Sequence, residues 1–160
     1  MSAEAGQVQD TCFVINTDPR HKPGAHWLAF YYDSVKQQLE YFDSFGLPLT
    51  CYSSVARSLT DRKLVVVAKN TCDMLQSVHS TACGYYCVLF LHYRVRYGSG
   101  SVAASKIAKL ARSERSRDAA VVSAVHKLMH THRCAHMSSV EVCTRQSQRC
   151  VCFNDSCNKH

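Results

Sequence analysis

One segment, Cys83–Tyr97, limits the possible folds of this chain more than any other. Its sequence is apolar around the first three helical turns, and Gly98, directly after it, is a typical residue to end a helix. A helix that is apolar on all sides must be covered on all sides. The segment therefore predicts a central helix packed on a sheet.

Strands are predicted before this helix and further helices after it. Short apolar or alternating runs predict strands, and amphipathic runs predict helices. We expect strands at Cys12–Asn16, His26–Tyr32, Leu39–Ser44 and Lys63–Ala68, and helices at Leu49–Leu59, Val102–Ala111 and Ala119–Met129. The second strand is apolar almost throughout, which is typical of a central strand covered on both faces. This order predicts an α+β fold.

Length and composition bound the domain organisation. At 160 residues the chain is long enough for one domain with a substantial core. We predict a single domain over 1–142 and a flexible cysteine-rich tail over 143–160. No run is long and apolar enough to span a membrane, and residues 1–25 lack the basic and apolar pattern of a secretory signal. We expect a monomeric protein that is neither secreted nor bound to a membrane.

The ten cysteines are the most unusual feature of the composition. Without a secretory signal, free, catalytic or metal-bound thiols are more common than a disulfide framework. The tail segment Cys150-Val-Cys152, followed by Cys157 and His160, has enough ligands for zinc but lacks the usual spacing. We therefore predict no metal site and keep zinc in the tail as the alternative.

Positive charge is concentrated in the second half of the chain. Residues 1–80 contain seven Lys and Arg against eight Asp and Glu, whereas residues 81–160 contain twelve against four. Such a field favours polyanions, DNA among them, and a solvated helix face is the alternative interpretation. The candidate DNA-binding residues are Arg94, Arg96, Lys106, Lys109, Arg112, Arg115 and Arg117.

Cys83 is a candidate nucleophile because it stands at the predicted start of the central helix. The helix dipole and free backbone N–H groups there favour a thiolate, with Ser80 or Thr81 as the expected N-cap. A cysteine nucleophile also needs a base and a group that orients the base. His26, at a junction of loop and strand, and Asp43, on the neighbouring strand, can supply them. A buried structural cysteine is the alternative.

Four ordered sequence blocks carry a resemblance to a known family. They are His26-Trp-Leu-Ala-Phe, Phe42-Asp-Ser-Phe-Gly46, Gln76-x-x-x-x-Thr-Ala-Cys83-Gly-Tyr-Tyr-Cys87 and Leu89-Phe-Leu-His92. In order and spacing they resemble adenain, the adenovirus-type cysteine endopeptidase family. The resemblance implies a papain-like or ULP-like fold, in which a mixed central sheet packs against a buried helix that carries the nucleophile at its N-terminus.

The resemblance also implies a role for each matching residue. Cys83 would be the nucleophile, and His26 the general base and later the general acid. Asp43 would orient His26, at a position where the family usually has glutamate. Gln76 would donate an amide N–H to the oxyanion beside the backbone N–H of Cys83.

A substrate channel and two activators are further implications. Trp27 and Gly84 would line the channel. Family members are activated by DNA and by a viral peptide joined through a disulfide. The cysteine of that disulfide aligns with Lys63, and Cys72 is nearby but not equivalent, so a non-covalent peptide is the remaining possibility. No cofactor is required.

The expected function is that of a viral maturation endopeptidase in the virion and the host nucleus. By resemblance it would cleave capsid or core precursor proteins after small, glycine-containing sites. One alternative is a related peptidase that removes ubiquitin or SUMO-type modifiers, since those enzymes share the His-Trp, Asp, Gln and Cys-Gly pattern. A second alternative is a non-catalytic nucleic-acid- or zinc-binding module, which would leave these spacings unexplained.

Overall fold

A computed structural model describes residues 9–18, 25–69 and 73–137 of the chain. In chain order the elements are β1 (Thr11–Asn16), β2 (Trp27–Asp33), β3 (Gln38–Phe42), a 3₁₀ turn (Leu49–Cys51), α1 (Ser53–Asp61), β4 (Val66–Lys69), α2 (Cys83–Tyr97), α3 (Gly100–Ala108) and α4 (Glu114–Met137). Strands precede the long helices, so the predicted α+β class is confirmed. Across the described ranges, no helix is long and apolar enough to cross a membrane.

The four strands form one mixed sheet in the order β1-β2-β3-β4. The first three strands pair antiparallel, and β4 pairs parallel with β3. Leu28, Ala29 and Phe30 of β2 have no exposed surface, because β2 lies inside the sheet and both of its faces are covered. The continuous apolar run of β2 predicts this position.

Helices cover the two faces of the sheet. Successive side chains of a strand point to opposite faces, so neighbours in sequence enter different cores. On one face, Phe42 stacks on Phe90 of α2 with 4.2 Å between ring centroids. On the other, Leu39 packs with Val55 and Leu59 of α1. The predicted central helix therefore forms the middle of the larger core, between the sheet and the two following helices.

Helix α2 begins and ends at the residues that the sequence predicts. Gly98 ends it with a φ of 69°, a left-handed conformation that glycine adopts without strain, and its N–H donates to the Arg94 carbonyl at 2.9 Å. Tyr86, Leu89 and Phe90 have no exposed surface. Burial on several faces agrees with the apolar sequence of these turns.

The fourth strand differs from its prediction. It begins at Val66 rather than at Lys63, because Lys63 has a φ of 57° and the Leu64 N–H returns to the Leu59 carbonyl at 2.9 Å to close α1. Val65 is 71% exposed. The predicted buried strand is therefore a short strand at the edge of the sheet.

The last two helices are also displaced from their predicted bounds. Helix α3 begins two residues early, where the Ser99 hydroxyl caps it by accepting from the Val102 N–H at 3.4 Å. Helix α4 begins at Glu114 rather than at Ala119, and the Ser113 hydroxyl accepts from the Ser116 N–H at 3.3 Å. Residues 114–118, which the predicted bounds leave between the two helices, are therefore part of α4.

Arg94 joins the end of α2 to the sheet. Its guanidinium donates to the Glu40 carboxylate at 2.7–3.0 Å and to Asp33 at 3.2 Å, and it lies 3.9 Å above the centre of the Tyr31 ring. Only 3% of Arg94 is exposed. The prediction that Arg94 contacts DNA is therefore wrong, because its guanidinium is buried and is paired with carboxylates of the sheet.

The same correction applies to Arg117 of α4. Its guanidinium is buried and donates to the carbonyls of Leu75, Ala111 and Ala108 at 2.9, 3.1 and 3.2 Å. These bonds tie α4 to the end of α3 and to the loop before Gln76. Arg117 is therefore a structural residue and does not reach a phosphate.

Candidate active site

His26 and Asp43 meet where two antiparallel strands run side by side. His26 precedes β2 and Asp43 follows β3, and the register that pairs Ala29 with Phe42 brings these two positions together. His26 Nε2 lies 2.6 Å from Asp43 Oδ1. His26 is 6% exposed and Asp43 is fully buried. A buried carboxylate requires a partner, and this histidine is one.

The Asp43 carboxylate is held by more than the histidine. Oδ1 also accepts from the Phe45 N–H, and Oδ2 accepts from the Leu47 N–H and the Tyr52 hydroxyl, each at 3.0 Å. Burial and the neighbouring Asp43 raise the pKa of Tyr52, which keeps its hydroxyl protonated as a donor. Tyr52 was not predicted as a site residue, because nothing in its local sequence pattern separates it from a core tyrosine.

Cys83 is the first residue of α2 and is 8% exposed. The predicted serine or threonine cap is wrong. Ala82 occupies the N-cap position and provides no side-chain hydrogen bond, while the Ser80 hydroxyl accepts from the Ala82 N–H at 3.1 Å. No side chain therefore caps the first backbone N–H groups of α2. These groups point out of the N-terminal end of the helix, where Cys83 lies.

The pKa values of Cys83 and His26 are both shifted so that the charged form of each side chain is favoured. Burial of the Cys83 thiol raises its pKa, but the hydrogen bond to His26 and the backbone N–H groups of Trp27 and Gly84 outweigh burial and bring the pKa below its usual value. Burial also opposes the charged form of His26, yet Asp43 and Cys83 together raise its pKa to about 9. A thiolate beside an imidazolium is the form that attacks carbonyl carbons.

The two ring nitrogens of His26 face different groups. Nε2 is bound to Asp43, so Nδ1 remains for the thiol. Within the described residues, no nitrogen or oxygen atom of the protein is bonded to His26 Nδ1, which leaves this nitrogen to the Cys83 sulfur. The Phe45 ring lies on the imidazole with 4.7 Å between ring centroids and limits its rotation.

Gln76 is fully buried in the loop before α2. Its Oε1 accepts from the Ser44 hydroxyl at 2.7 Å, and its Nε2 donates to the Ser80 carbonyl at 2.7 Å. The backbone N–H of Gln76 also donates to the Ser44 carbonyl at 3.0 Å. An amide nitrogen carries two hydrogens, so one remains after these bonds.

Helix α4 holds the Gln76 loop in place from behind. The Leu75 carbonyl accepts from Arg117 at 2.9 Å and from the Tyr86 hydroxyl at 3.0 Å. The Tyr86 hydroxyl also lies 2.8 Å from Asp118 Oδ1, which accepts weakly from the Ser77 N–H at 3.4 Å. These supporting roles were not predicted, because they depend on contacts between residues 11 to 42 positions apart.

Gly46 brings the Asp43 loop against the Gln76 loop. It has a φ of 69°, and a Cβ at this position would lie 2.8 Å from the Asp73 carbonyl carbon and oxygen. Both the conformation and the close backbone approach require glycine. The turn therefore keeps the acid and the amide of the candidate site in register.

Trp27 and Gly84 lie together beside the nucleophile. A Cβ added to Gly84 would be 3.8 Å from Trp27 Cδ1, which is an ordinary contact distance. The Cys87 thiol donates to the Trp27 carbonyl at 3.3 Å, and this carbonyl belongs to the peptide directly after the one whose N–H faces Cys83. The two residues predicted to line a channel thus form one wall beside the sulfur.

Five of the seven predicted DNA-binding residues are exposed: Arg96, Lys106, Lys109, Arg112 and Arg115. The Tyr97 ring lies between two of them, 5.8 Å from the Arg96 guanidinium and 4.3 Å from the Lys106 ammonium. The ends of α2 and α3 therefore place these two cations on one surface.

In the described part of the chain, no three His, Cys, Asp or Glu side chains are grouped in a way that could hold a metal ion. Cys51, Cys83 and Cys87 are free thiols. The predicted tail, 143–160, and the zinc alternative that depends on it lie outside the described residues, as does Cys72.

A comparison with protein families decides the relationship. The model of a family described as adenovirus endoprotease matches residues 6–157. The chain belongs to the adenovirus endoprotease family. Proteases of porcine adenovirus A serotype 3 and bovine adenovirus 4 are 33% and 34% identical to it over 115 and 95 residues. The protease of human adenovirus A serotype 12 is 32% identical over 93 residues.

These matches cover part of each protein. They include 64%, 52% and 51% of this chain and 55%, 47% and 45% of the three proteases, in the same order. The chain thus spans about half the length of the curated relatives it matches. The solved structure of ChlaDub1 from Chlamydia trachomatis aligns over 74% of this chain and 59% of that chain, at 18% identity and a TM-score of 0.49.

Proposed function

We propose that this protein is a viral cysteine endopeptidase that cleaves capsid or core precursor proteins after small, glycine-containing sites. The observation that carries the proposal is the arrangement of His26 between Asp43 and Cys83, with the pKa of the imidazole raised to about 9 and that of the thiol lowered. Membership of the adenovirus endoprotease family supports the same chemistry.

In the proposed reaction the Cys83 thiolate attacks the carbonyl carbon of the scissile peptide. The sulfur supplies the electron pair of the new S–C bond, and the carbonyl π electrons move to the oxygen. The C–N bond then breaks while His26 gives its proton to the leaving amine. Neutral His26 next removes a proton from a water molecule that attacks the thioester, and Cys83 leaves as a thiolate.

The proposed oxyanion site combines the backbone N–H of Cys83 with the second Nε2 hydrogen of Gln76. Ser44 and Ser80 hold the amide group of Gln76 from two sides, so the remaining hydrogen has a fixed direction before substrate binds. Donors fixed in this way are each worth about 10²–10³ in kcat. The supports from α4 serve the same purpose, because they fix the loop that carries Gln76.

Glycine in the substrate agrees with the wall formed by Trp27 and Gly84. Gly84 has no side chain toward the cleft, and Trp27 lies close enough to contact even a single added carbon there. A substrate backbone without side chains can pass close to such a wall. This contact supports the proposed preference for small residues on the acyl side of the scissile bond.

A glycine-directed thiol probe tests the proposal. We expect a peptide whose C-terminal glycine carries a vinyl methyl ester to modify Cys83 in the wild type and not in Cys83→Ala. His26→Ala should slow labelling by roughly 10²–10⁴-fold, the usual contribution of a positioned acid or base. Intact-mass spectrometry gives the extent of labelling.

The matched control is Cys51→Ala, because Cys51 is also a free thiol and is exposed. This variant should be labelled as fast as the wild type. Continued labelling of Cys83→Ala, or an unchanged rate in His26→Ala, would show that the proposed mechanism is wrong.

The proposal includes DNA as an activator, in the virion and the nucleus of the infected cell. Its support is the exposed cationic surface formed by Arg96, Lys106, Lys109, Arg112 and Arg115. A viral peptide bound without a disulfide is proposed as a second activator, since Lys63 stands where the family resemblance would require a cysteine.

A further inference from the structure

A groove borders the nucleophile end of α2. It is an open groove of about 590 Å³ between residues 80–82, Tyr85 of α2 and one side of α4. The α4 residues in its lining follow helical spacing, so that they form one continuous face: Ala119, Val122, His126 and His130. Nothing in the proposed mechanism uses this groove.

The groove and the Trp27 wall lie on different sides of Cys83. Ala82 and Tyr85 are three residues apart and share a face of the helix, whereas Gly84 is rotated away from both at about 100° per residue. Ala82 and Tyr85 line the groove, while Gly84 contacts Trp27. Cys83 therefore lies between two surfaces, and each can take one half of a peptide that crosses the sulfur.

The chemistry of the groove distinguishes it from the Trp27 wall. Tyr85 and Val122 give it apolar sides, and His126, Lys127 and His130 place cationic or protonatable groups along it. Asp118 is the acidic residue in the lining, and its Oδ1 is already bound by the Tyr86 hydroxyl at 2.8 Å. Within the described part of the chain, Lys127 has no carboxylate at ion-pair distance.

We infer that this groove binds the amine-side residues of the substrate, those that follow the scissile bond, and favours acidic side chains among them. The inference rests on the proposed endopeptidase function and adds the substrate chemistry on the leaving-group side. Continuity with the nucleophile supports it, because Ala82 both lines the groove and directly precedes Cys83.

Three substrates with the same acyl half, ending in Gly-Gly, test the inference. The first continues after the scissile bond with Gly-Glu-Glu-Glu, the second continues with Gly-Gln-Gln-Gln, and the third carries only aminomethylcoumarin as its leaving amine. We expect the wild type to cleave the Glu peptide with a kcat/KM about threefold above that of the Gln peptide, as for a partly exposed charge contact. Lys127→Glu should reverse this preference and leave coumarin release unchanged.

Arg115→Glu is the matched control, since Arg115 is an exposed cation of the same helix that does not line the groove. It should keep the preference of the wild type. Equal cleavage of the two peptides by the wild type, or a preference that Lys127→Glu does not change, would overturn the inference and leave the endopeptidase proposal standing. Failure of the wild type to release coumarin would instead overturn both.

Discussion

At the scale of single residues, the proposed chemistry depends on the two nitrogens of His26. Burial alone would lower the pKa of this imidazole and favour its neutral form, because a buried cation is costly. Asp43 on Nε2 and the Cys83 thiol outweigh burial and raise the His26 pKa to about 9. The lowered Cys83 pKa is the other half of the same interaction. Between these two pKa values the site holds a thiolate and an imidazolium.

This interval predicts the pH dependence of the reaction. Activity should rise as Cys83 ionises and fall above pH 9, where His26 loses the proton that the leaving amine requires. Asp43→Asn removes the carboxylate that favours the charged ring, so the alkaline limb should move to lower pH. We expect kcat/KM to fall by roughly 10²-fold, less than the ~10⁴-fold typical of serine triads, because the thiolate is present before substrate binds.

The measurement is kcat/KM across pH 5 to 10 for the wild type and Asp43→Asn, with circular dichroism to establish that both are folded. Tyr52→Phe is a milder companion variant. It removes one donor from Asp43 Oδ2 and keeps the charge. Its alkaline limb should stay near that of the wild type. An alkaline limb in Asp43→Asn at the wild-type pH would contradict the role given to the carboxylate.

At the scale of secondary-structure elements, local patterns account for what the sequence predicted well. The bounds of α2 follow from its apolar turns and Gly98, and the alternation of β3 separates Phe42 from Leu39 in the two cores. Both are properties of a few neighbouring residues. The edge position of β4 is a property of the whole sheet, and composition alone did not reveal it.

Charged side chains were the hardest to assign, because a sequence does not show which charges face inward. Arg94 and Arg117 look like Arg96 and Arg115 in the sequence, yet the first pair is buried and the second is exposed. The partner of Arg94 is Glu40, 54 residues away. The candidate triad could be nominated from its positions at the ends of predicted elements, and the family resemblance in spacing added support, whereas Tyr52 has neither signal.

The Arg94 contact predicts a specific loss of stability. Arg94→Met leaves the Glu40 carboxylate in a largely buried site without its cation. Removal of one partner from a buried ion pair costs about 3–5 kcal/mol of unfolding free energy. Arg96→Met is the matched control on the same helix, and exposed changes of this kind stay within about 0.5 kcal/mol. Urea unfolding measures both.

A second variant separates the loss of the pair from the loss of packing. Glu40→Gln combined with Arg94→Met removes both charges, so it should recover part of the free energy lost by Arg94→Met alone. Equal stabilities of Arg94→Met and its control Arg96→Met would contradict the assignment of Arg94 to the core. If the double variant recovers stability, the free energy lost in Arg94→Met came from the Glu40 carboxylate left without the arginine. If it recovers none, the loss came from the packing of the Arg94 side chain.

At the scale of the whole molecule, most of the candidate cations are exposed on the helical half of the chain. Two of the seven candidate cations, Arg94 and Arg117, are buried in the fold. The remaining five lie at the end of α2, at the end of α3, in the connection after α3 and at the start of α4. Tyr97, between Arg96 and Lys106, joins the first two of these segments. A polyanion would therefore meet a surface on the helices that follow the nucleophile.

This surface predicts how DNA binding depends on salt. Each phosphate neutralised by a cation contributes about 0.9 to the slope of log affinity against log salt concentration. Lys106→Gln with Lys109→Gln removes two exposed cations, so the slope should become shallower by about 1.8. The measurement is fluorescence anisotropy with a short duplex DNA over a range of salt concentrations.

Arg57→Gln with Arg62→Gln is the control, because it removes the same net charge at exposed positions of the sheet half. If binding uses the surface after α2, the control keeps the wild-type slope and only the lysine pair changes it. Equal changes in both variants would mean that DNA responds to net charge and not to this surface. An unchanged slope in both would remove DNA from the proposed function, while the chemistry of Cys83 and His26 would stand unaffected.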